Sequence, residues 1–535
     1  MDLGRSTAKR QQAEYLTSEP ATASAKRWTL VAMIIASSMS FIDGTVVNVA
    51  LPALQARLNA TITDVQWVIE AYALFLGALI LVGGSLGDQL GRRKVFLTGV
   101  ILFTAASVLC GLAPNSLVLI IGRAIQGIGA AFLVPGSLAI ITATFDGEER
   151  GRAIGTWSGF SAITTALGPV LGGWLIEHVS WRAVFFINVP LAIVVVVLSS
   201  RHVQESKDPS RTGAIDWTGA FLAVLGLSGL VFGLLEWPPL GATHPLVIGA
   251  LVVGAVSLVL LIVVERRTRN PMMPLSVFSS RPFSLANILT LLLYAALAVM
   301  LFLLPLLLIQ VHRFSATAAG AALLPFPIII FALSRWAGGL VTRVGSRLPL
   351  TVGPLIVAIG FAVLALPAVA GSFWSALFPG IVVVGLGMAV TVAPLTTTVM
   401  NSAPREHSGV ASGVNNAVSR IAGLIAIAAF GVVVVNVFAS HMSPRLQQLA
   451  LPSDARAGVE RELPKMAGAE LNTISQLTIS QRADLHTSID ASFTAAFRVA
   501  MVGAAALALG AALIGSRILG VKHGEPIGAP LAPRP

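Results

Sequence analysis

Charge is scarce in this chain. Asp, Glu, Lys and Arg make up 11% of its 535 residues, against about a quarter in a soluble globular domain. That scarcity excludes an ordinary water-soluble enzyme. Cysteine is nearly absent as well. The single thiol, Cys110, excludes intrachain disulfides and cysteine-rich metal sites and reads as a packing residue. The eight histidines fall mostly in loops and show no metal-ligand spacing, so no metal is expected. A GxxxxGK[ST] loop is missing, which removes a P-loop nucleotide pocket and with it an ATP-driven pump. No cofactor and no enzymatic reaction are expected. Residues 1–27 are polar and lack the short apolar core and small-residue cleavage site of a signal peptide. The first long apolar run, from Trp28, is therefore expected to stay in place as a helix.

Apolar residues fill 55% of the chain, in runs near the length at which a helix crosses a bilayer. Fourteen spans are expected, at 29–52, 67–87, 95–113, 117–141, 152–176, 182–200, 214–235, 245–264, 284–309, 319–341, 349–370, 376–400, 409–438 and 493–515. The fold class is an all-α polytopic membrane protein. An even number of spans puts both termini on one side. With that side inside, 22 of the 35 Lys and Arg fall in inner segments and 7 in outer ones, the asymmetry of cytoplasmic loops. Both termini are therefore expected in the cytoplasm. The formal charge of +11 is a topology signal, and no nucleic-acid partner is implied.

One loop recurs. "GGSLGDQLGRR" (83–93) follows span two and "AGGLVTRVGSR" (337–347) follows span ten. Aligning Gly84 with Gly338 matches Leu86 to Leu340, Gly91 to Gly345 and Arg93 to Arg347, while Thr342 replaces Asp88. Internal duplication of this kind marks secondary transporters and disfavours a channel. It divides the chain into a tail (1–27), a six-helix bundle (28–200), a linker with two extra spans (201–282), a second bundle (283–515) and a tail (516–535). The outer loop 439–492 is long; cap, disordered spacer and partner-binding surface are all open readings.

Ionisable groups inside spans are costly and mark functional sites. Asp43 sits near mid-membrane in span one, Glu70 near the outer end of span two, Arg123 in span four and Arg420 in span thirteen. A carboxylate in a desolvated cavity suits a proton carrier and also attracts a lipophilic cation. Asp43 is expected to face a central water-accessible cavity. Structural alternatives stand beside these roles: Asp43 hydrogen-bonding Thr45 or Asn48 at a kink, Glu70 facing outer water, Arg123 pairing with a carboxylate to fix spans one and four. In span five, Gly155 and Gly159, then Gly168 and Gly172, are four residues apart and permit close helix approach, and Pro169 bends the helix. In 87–94, Gly91 turns the chain and Arg92, Arg93 and Lys94 anchor it. Asp88 can pair with a basic residue or cap a neighbouring helix.

These motifs together resemble the major facilitator superfamily, in particular its fourteen-helix drug:proton antiporter group. "GSLGDQLGRRK" (84–94), "LIIGRAIQGIGAA" (119–131), "TALGPVLGG" (165–173) and "IDGTVVNVALP" (42–52) look like its loop, fourth-helix, fifth-helix and first-helix signatures. "WRAVFFINVP" (181–190) and "IDWTG" (215–219) are similar to further stretches of that group. The resemblance covers nearly all of 28–515. It implies two six-helix bundles plus two inserted helices in a bacterial cytoplasmic membrane, exporting lipophilic, cationic compounds against protons. An exporter of a specific lipid, siderophore or secondary metabolite shares the same pattern. By resemblance, Asp43, Glu70, Arg123 and Gln126 serve proton coupling and substrate, and Asp88, Gly91, Arg92 and Arg93 gate the cytoplasmic side. Gly168, Pro169, Gly172 and Gly173 form the helix-five pivot, and Asn48, Tyr72, Trp157, Asn416 and Arg420 are cavity candidates. Thr164 and Thr342 depart from the pattern, which relaxes packing in helix five and makes latching asymmetric. The expected partners are a small lipophilic substrate, protons and the bilayer. A monomer is expected, with a periplasmic adaptor left open.

Overall fold

The computed structural model describes residues 22–207, 215–268, 271, 273, 275–366, 373–402, 408–449 and 451–518. Fourteen helices among them are long and apolar enough to cross a membrane. The first bundle holds α1 (Ala23–Leu58), α2 (Ile62–Leu90), α3 (Arg92–Leu112), α4 (Ser116–Thr144), α5 (Gly147–His178) and α6 (Asn188–His202). Two inserted helices follow, α7 (Trp217–Leu235) and α8 (Pro245–Arg267). The second bundle holds α9 (Arg281–Leu306), a two-piece α10 (Ala316–Ala322 and Pro325–Gly338), α11 (Arg347–Leu364), α12 (Phe378–Asn401), α13 (Ser408–Gln448) and α14 (Ile479–Ser516).

The helix ends follow local chemistry. Thr61 and Asp64 form a reciprocal capping box at the start of α2. Asn115 caps α4 by accepting from the Val118 N–H, and Asn59 ends α1 in the left-handed region at φ 52°. Gly91 (φ 121°) separates α2 from α3 in a single residue, a backbone state that glycine adopts without steric cost.

Several spans differ from their expected limits. The sixth is interrupted at Ile187, with a short turn at Ala183–Phe186 before α6. The tenth breaks at Leu323–Leu324, and the Pro325 that opens its second piece has no N–H to continue the ladder. The ninth ends in a π-turn at Leu307–Val311. The largest difference lies in 439–492. α13 runs on to Gln448 and α14 starts at Ile479, because Thr478 and Gln481 form a second capping box. Between them stand a helix at Ser453–Glu462 and tight turns at Leu463–Gly468 and Leu471–Thr473. Ala455, Val459, Met466 and Leu471 are buried in the main core. The described part of this segment is thus a packed cap, because its polar residues alternate with apolar ones that the helix ends can cover.

The bundles meet along two seams. At the cap end of one seam, α5 lies directly on α10: the Pro169 carbonyl faces Gly320, and Gly173 faces Ala316. Thr317 donates to Glu177 beside them. Towards the opposite end this seam opens. Among the described residues, side-chain positions at Gly155, Gly159 and Gly338 would meet nothing within 4 Å, and Phe160 and Phe331 are exposed. At the second seam, Gln66 of α2 donates to the Ile427 carbonyl of α13 (3.4 Å), and Gly77 lies against Arg420 and Ile421. The inserted α7 covers this second seam. Its Leu227, Val231 and Leu235 pack with Leu74 and Ala78 of α2 and Leu424 and Ala428 of α13. Trp67 ties α2 to Glu236 at its end (3.0 Å).

Candidate functional site

The site is built on α4. Arg123 and Gln126 are three residues apart, so they share one face of the helix. Gly127 lets that face approach α2: a Cβ there would collide with the Tyr72 carbonyl. The approach lays the Arg123 guanidinium over the Tyr72 ring, 4.3 Å from its centroid, and lets Arg123 Nε donate to the Val68 carbonyl (3.0 Å).

Across this gap Arg123 Nη1 meets Asp43 Oδ2 of α1 at 2.5 Å. The same nitrogen donates to Gln126 Oε1 (2.7 Å). Gln126 Nε2 in turn donates to Asp43 Oδ1 (2.7 Å). The break before α6 presents Asn188, whose Nδ2 donates to Ser107 Oγ of α3 (2.9 Å) and reaches Asp43 Oδ1 (3.5 Å). Ser107 is fixed by donating to the Phe185 carbonyl (2.8 Å). Asp43 is 0% exposed and Arg123 1%. The pair is net neutral, and each charge has further hydrogen-bond partners, which is the condition for a buried ion pair to be tolerated. Asp43 therefore does not open onto water in this state. Its partners stand 80 and 83 residues away in sequence, while Thr45 turns its hydroxyl to the Phe41 and Ile42 carbonyls of its own helix.

Glu70 lies two residues before Tyr72, on the helix face that carries Gln66 and Gly77 towards α13. It is 0% exposed, and neither carboxylate oxygen has a hydrogen-bond partner among the described residues. It does not face water at the end of its helix. Tyr72 is buried, and its hydroxyl pairs with Ser40 Oγ (2.8 Å). Trp157 donates to Ser37 Oγ (2.8 Å), tying α5 to α1. Asn48 is half-buried. Arg420 donates to the exposed Asn416 on its own helix (3.2 Å).

The helix-five residues stand apart from this cluster, against two different helices. Gly168 and Gly172 receive Thr45 and Val46 of α1, whereas Pro169 and Gly173 face α10. The 88–94 turn forms a third group. Arg92 pairs with Asp88 within the turn (2.9 Å), and Arg93 Nη1 donates to the Val203 carbonyl (2.9 Å). Glu205, which no motif marks, accepts from the Arg93 and Lys94 N–H groups (3.0 and 3.1 Å). It lies where a Cβ on Gly91 would fall, and its charge complements the positive start of α3. A polar group in the second bundle also lacks a sequence signature: Asn415 donates to Asn287 Oδ1 (3.1 Å) and Thr290 Oγ1 (2.8 Å).

The chain shares this architecture with known transporters. Residues 33–427 match the model of the Major Facilitator Superfamily. The chain is 34% identical over 436 residues to the "Multidrug resistance protein Stp" of Mycobacterium tuberculosis, covering 81% of this chain and 80% of that protein. It is 30% identical to the "Tetracenomycin C resistance and export protein" of Streptomyces glaucescens, covering 89% and 90%. It is 32% identical to the "Lincomycin resistance protein" of Streptomyces lincolnensis, covering 77% and 85%. Among solved structures, a bacterial homolog of the human lysosomal transporter Spinster superposes with a TM-score of 0.62 at 18% identity, covering 92% of this chain and 98% of that one. The buried charge pair between α1 and α4, the duplicated loop and the fourteen spans thus sit in a transporter, not an enzyme: the chain belongs to the major facilitator superfamily.

Proposed function

We propose that this protein exports lipophilic, cationic compounds across the bacterial cytoplasmic membrane in exchange for protons, with both termini in the cytoplasm. The carrying observation is the contrast between two buried carboxylates. Asp43 is neutralised in place by Arg123; Glu70 has no hydrogen-bond donor among the described residues. A bare charge in such surroundings is very costly, so Glu70 must hold a proton or receive a cation. One group that accepts either, but not both, is the chemical basis of exchange. Asp43, Arg123 and Gln126 then act as the positioning network: they fix α1 against α4 and hold Tyr72 beside Glu70's helix turn.

The basic-loop end is the cytoplasmic one in this reading, so the splayed α5–α10 seam opens to the cell interior and the cap lies outside. Substrate enters from the inside, displaces the proton from Glu70, and the bundles rock to expose the site outside. One monovalent cation out against one proton in at Glu70 moves no net charge, so the proton concentration gradient drives the exchange. The names of the relatives, which concern resistance to and export of antibiotics, favour export over uptake. The test is ethidium accumulation in energised cells expressing wild type, Asp43→Asn or Glu70→Gln. Wild type lowers accumulation and Glu70→Gln abolishes that effect at equal membrane abundance. Accumulation unchanged by wild type, with a lipid or metabolite exported instead, transfers the role to a specific exporter.

A further inference from the structure

Resting on that alternating-access reading, we propose that Gln55 is a positioning residue for transport: among the described residues it is the polar latch by which the outer cap holds the first bundle closed. Gln55 sits in the last turn of α1 and is 1% exposed. Its Nε2 donates to the Lys465 carbonyl of the cap (2.9 Å). Its Oε1 accepts from Gln310 Nε2 (2.7 Å) in the π-turn after α9. One side chain of the first bundle thus satisfies both of its polar ends on the second.

The cap also packs apolar surface against α1 and α2, but its other side-chain hydrogen bonds among the described residues bind it to the second bundle or to itself. Arg445 of α13 donates to the Ser488 carbonyl and Ser492 Oγ of α14. Arg456 donates to the Leu446 carbonyl and Arg482 to the Ile474 carbonyl. Inside the cap, the Glu462 carboxylate clamps both Lys465 Nζ (2.8 Å) and the Glu470 N–H (2.9 Å), which aims the Lys465 carbonyl at α1. Gly468 completes the pocket, since a Cβ there would overlap Gln55 and Gln310. The cap must therefore travel with α13 and α14, and when the outer mouth opens the Gln55 contacts part together with the α5–α10 contact and its Thr317–Glu177 hydrogen bond. Both Gln55 bonds join uncharged groups, so each is worth only a modest net amount: enough to bias closure, not to forbid opening.

The experiment reads the gate without any substrate. In a Cys110→Ser background, Ala319→Cys reports opening, because Ala319 is 0% exposed on the α10 piece that faces α5. Ile479→Cys, 87% exposed, is the constant reference. With a membrane-impermeant maleimide added from the cap side, Gln55→Met raises labelling at 319 about five- to ten-fold, from two neutral bonds lost. Labelling at 479 stays unchanged. Gln310→Leu, which removes one of the two bonds, gives an intermediate rise. An unchanged rate at 319 in a normally folded Gln55→Met protein overturns the latch. Should Gln55→Met fail to fold, Gln55→Cys with Gln310→Cys, bridged by a reducible bifunctional thiol reagent, decides instead: bridging stops efflux and reduction restores it, and full efflux in the bridged protein overturns the latch. Altered labelling with no efflux in wild type sinks the exporter reading and leaves the latch standing.

Discussion

Removing the Asp43 carboxylate charge alone leaves an uncompensated cation inside the first bundle. In Asp43→Asn the side chain keeps its shape, but Arg123, 1% exposed, is left with Gln126 Oε1, the Val68 carbonyl and the Tyr72 ring. Breaking one partner of a buried pair costs about 3–5 kcal/mol. Arg123→Gln leaves the opposite orphan, softened by the donors on Gln126 and Asn188, and belongs at the low end of that range. The double variant Asp43→Asn/Arg123→Gln buries only neutral amides, so its loss is much less than the sum. A double-mutant cycle on the purified protein, by denaturant unfolding in mixed micelles, should give a coupling of at least about 2 kcal/mol between residues in direct contact. Strict additivity would refute the assignment of a buried, mutually neutralising pair. The same cycle separates stability from transport, because the double variant is near wild type in stability yet loses the positioning network.

Four further outcomes follow from the packing. Gly127→Val forces α4 away from the Tyr72 carbonyl, and such overpacking costs about 1–3 kcal/mol; thermal unfolding in detergent checks it. Glu205→Gln keeps the size but removes the charge at the start of α3, lowering stability by about 1 kcal/mol, less so in high salt. Gly320→Val places a branched side chain on the Pro169 carbonyl and wedges the α5–α10 contact, so Ala319→Cys labels faster in that variant. His312, just beyond the π-turn, is held below its ordinary value of 6.5 by burial. Its neutral ring therefore contributes fully above about pH 6.5, and that contribution is lost as pH falls, since the unfolded chain binds the extra proton. A shallower melting-temperature loss towards pH 5 in His312→Asn confirms the sign, and an unchanged profile contradicts it.

The spans were legible because hydropathy is set residue by residue and a bilayer demands a fixed length of it. Basic loops and the 83–93 and 337–347 repeat were legible for the same local reason. Pairing was not: Asp43 is joined to Arg123 and Gln126 across 80 and 83 residues, and several arrangements of six helices would satisfy the same periodicity. Glu205 and Gln55 carry no motif, and Asn188 lies in the 181–190 stretch without being singled out, since an amide or carboxylate near a helix end looks alike whether it bridges helices or meets water. The cap was misjudged in extent because its charged residues mask the apolar ones, Ala455, Val459 and Leu471, that face the core.

The exchange of a cation for a proton at Glu70 is tested most directly in proteoliposomes of purified protein loaded with a pH-sensitive dye. A pulse of ethidium on the substrate-accepting side should release protons there with wild type and none with Glu70→Gln, while Asp43→Asn/Arg123→Gln folds yet releases few. Proton release by Glu70→Gln equal to wild type, at equal incorporation, would contradict the account.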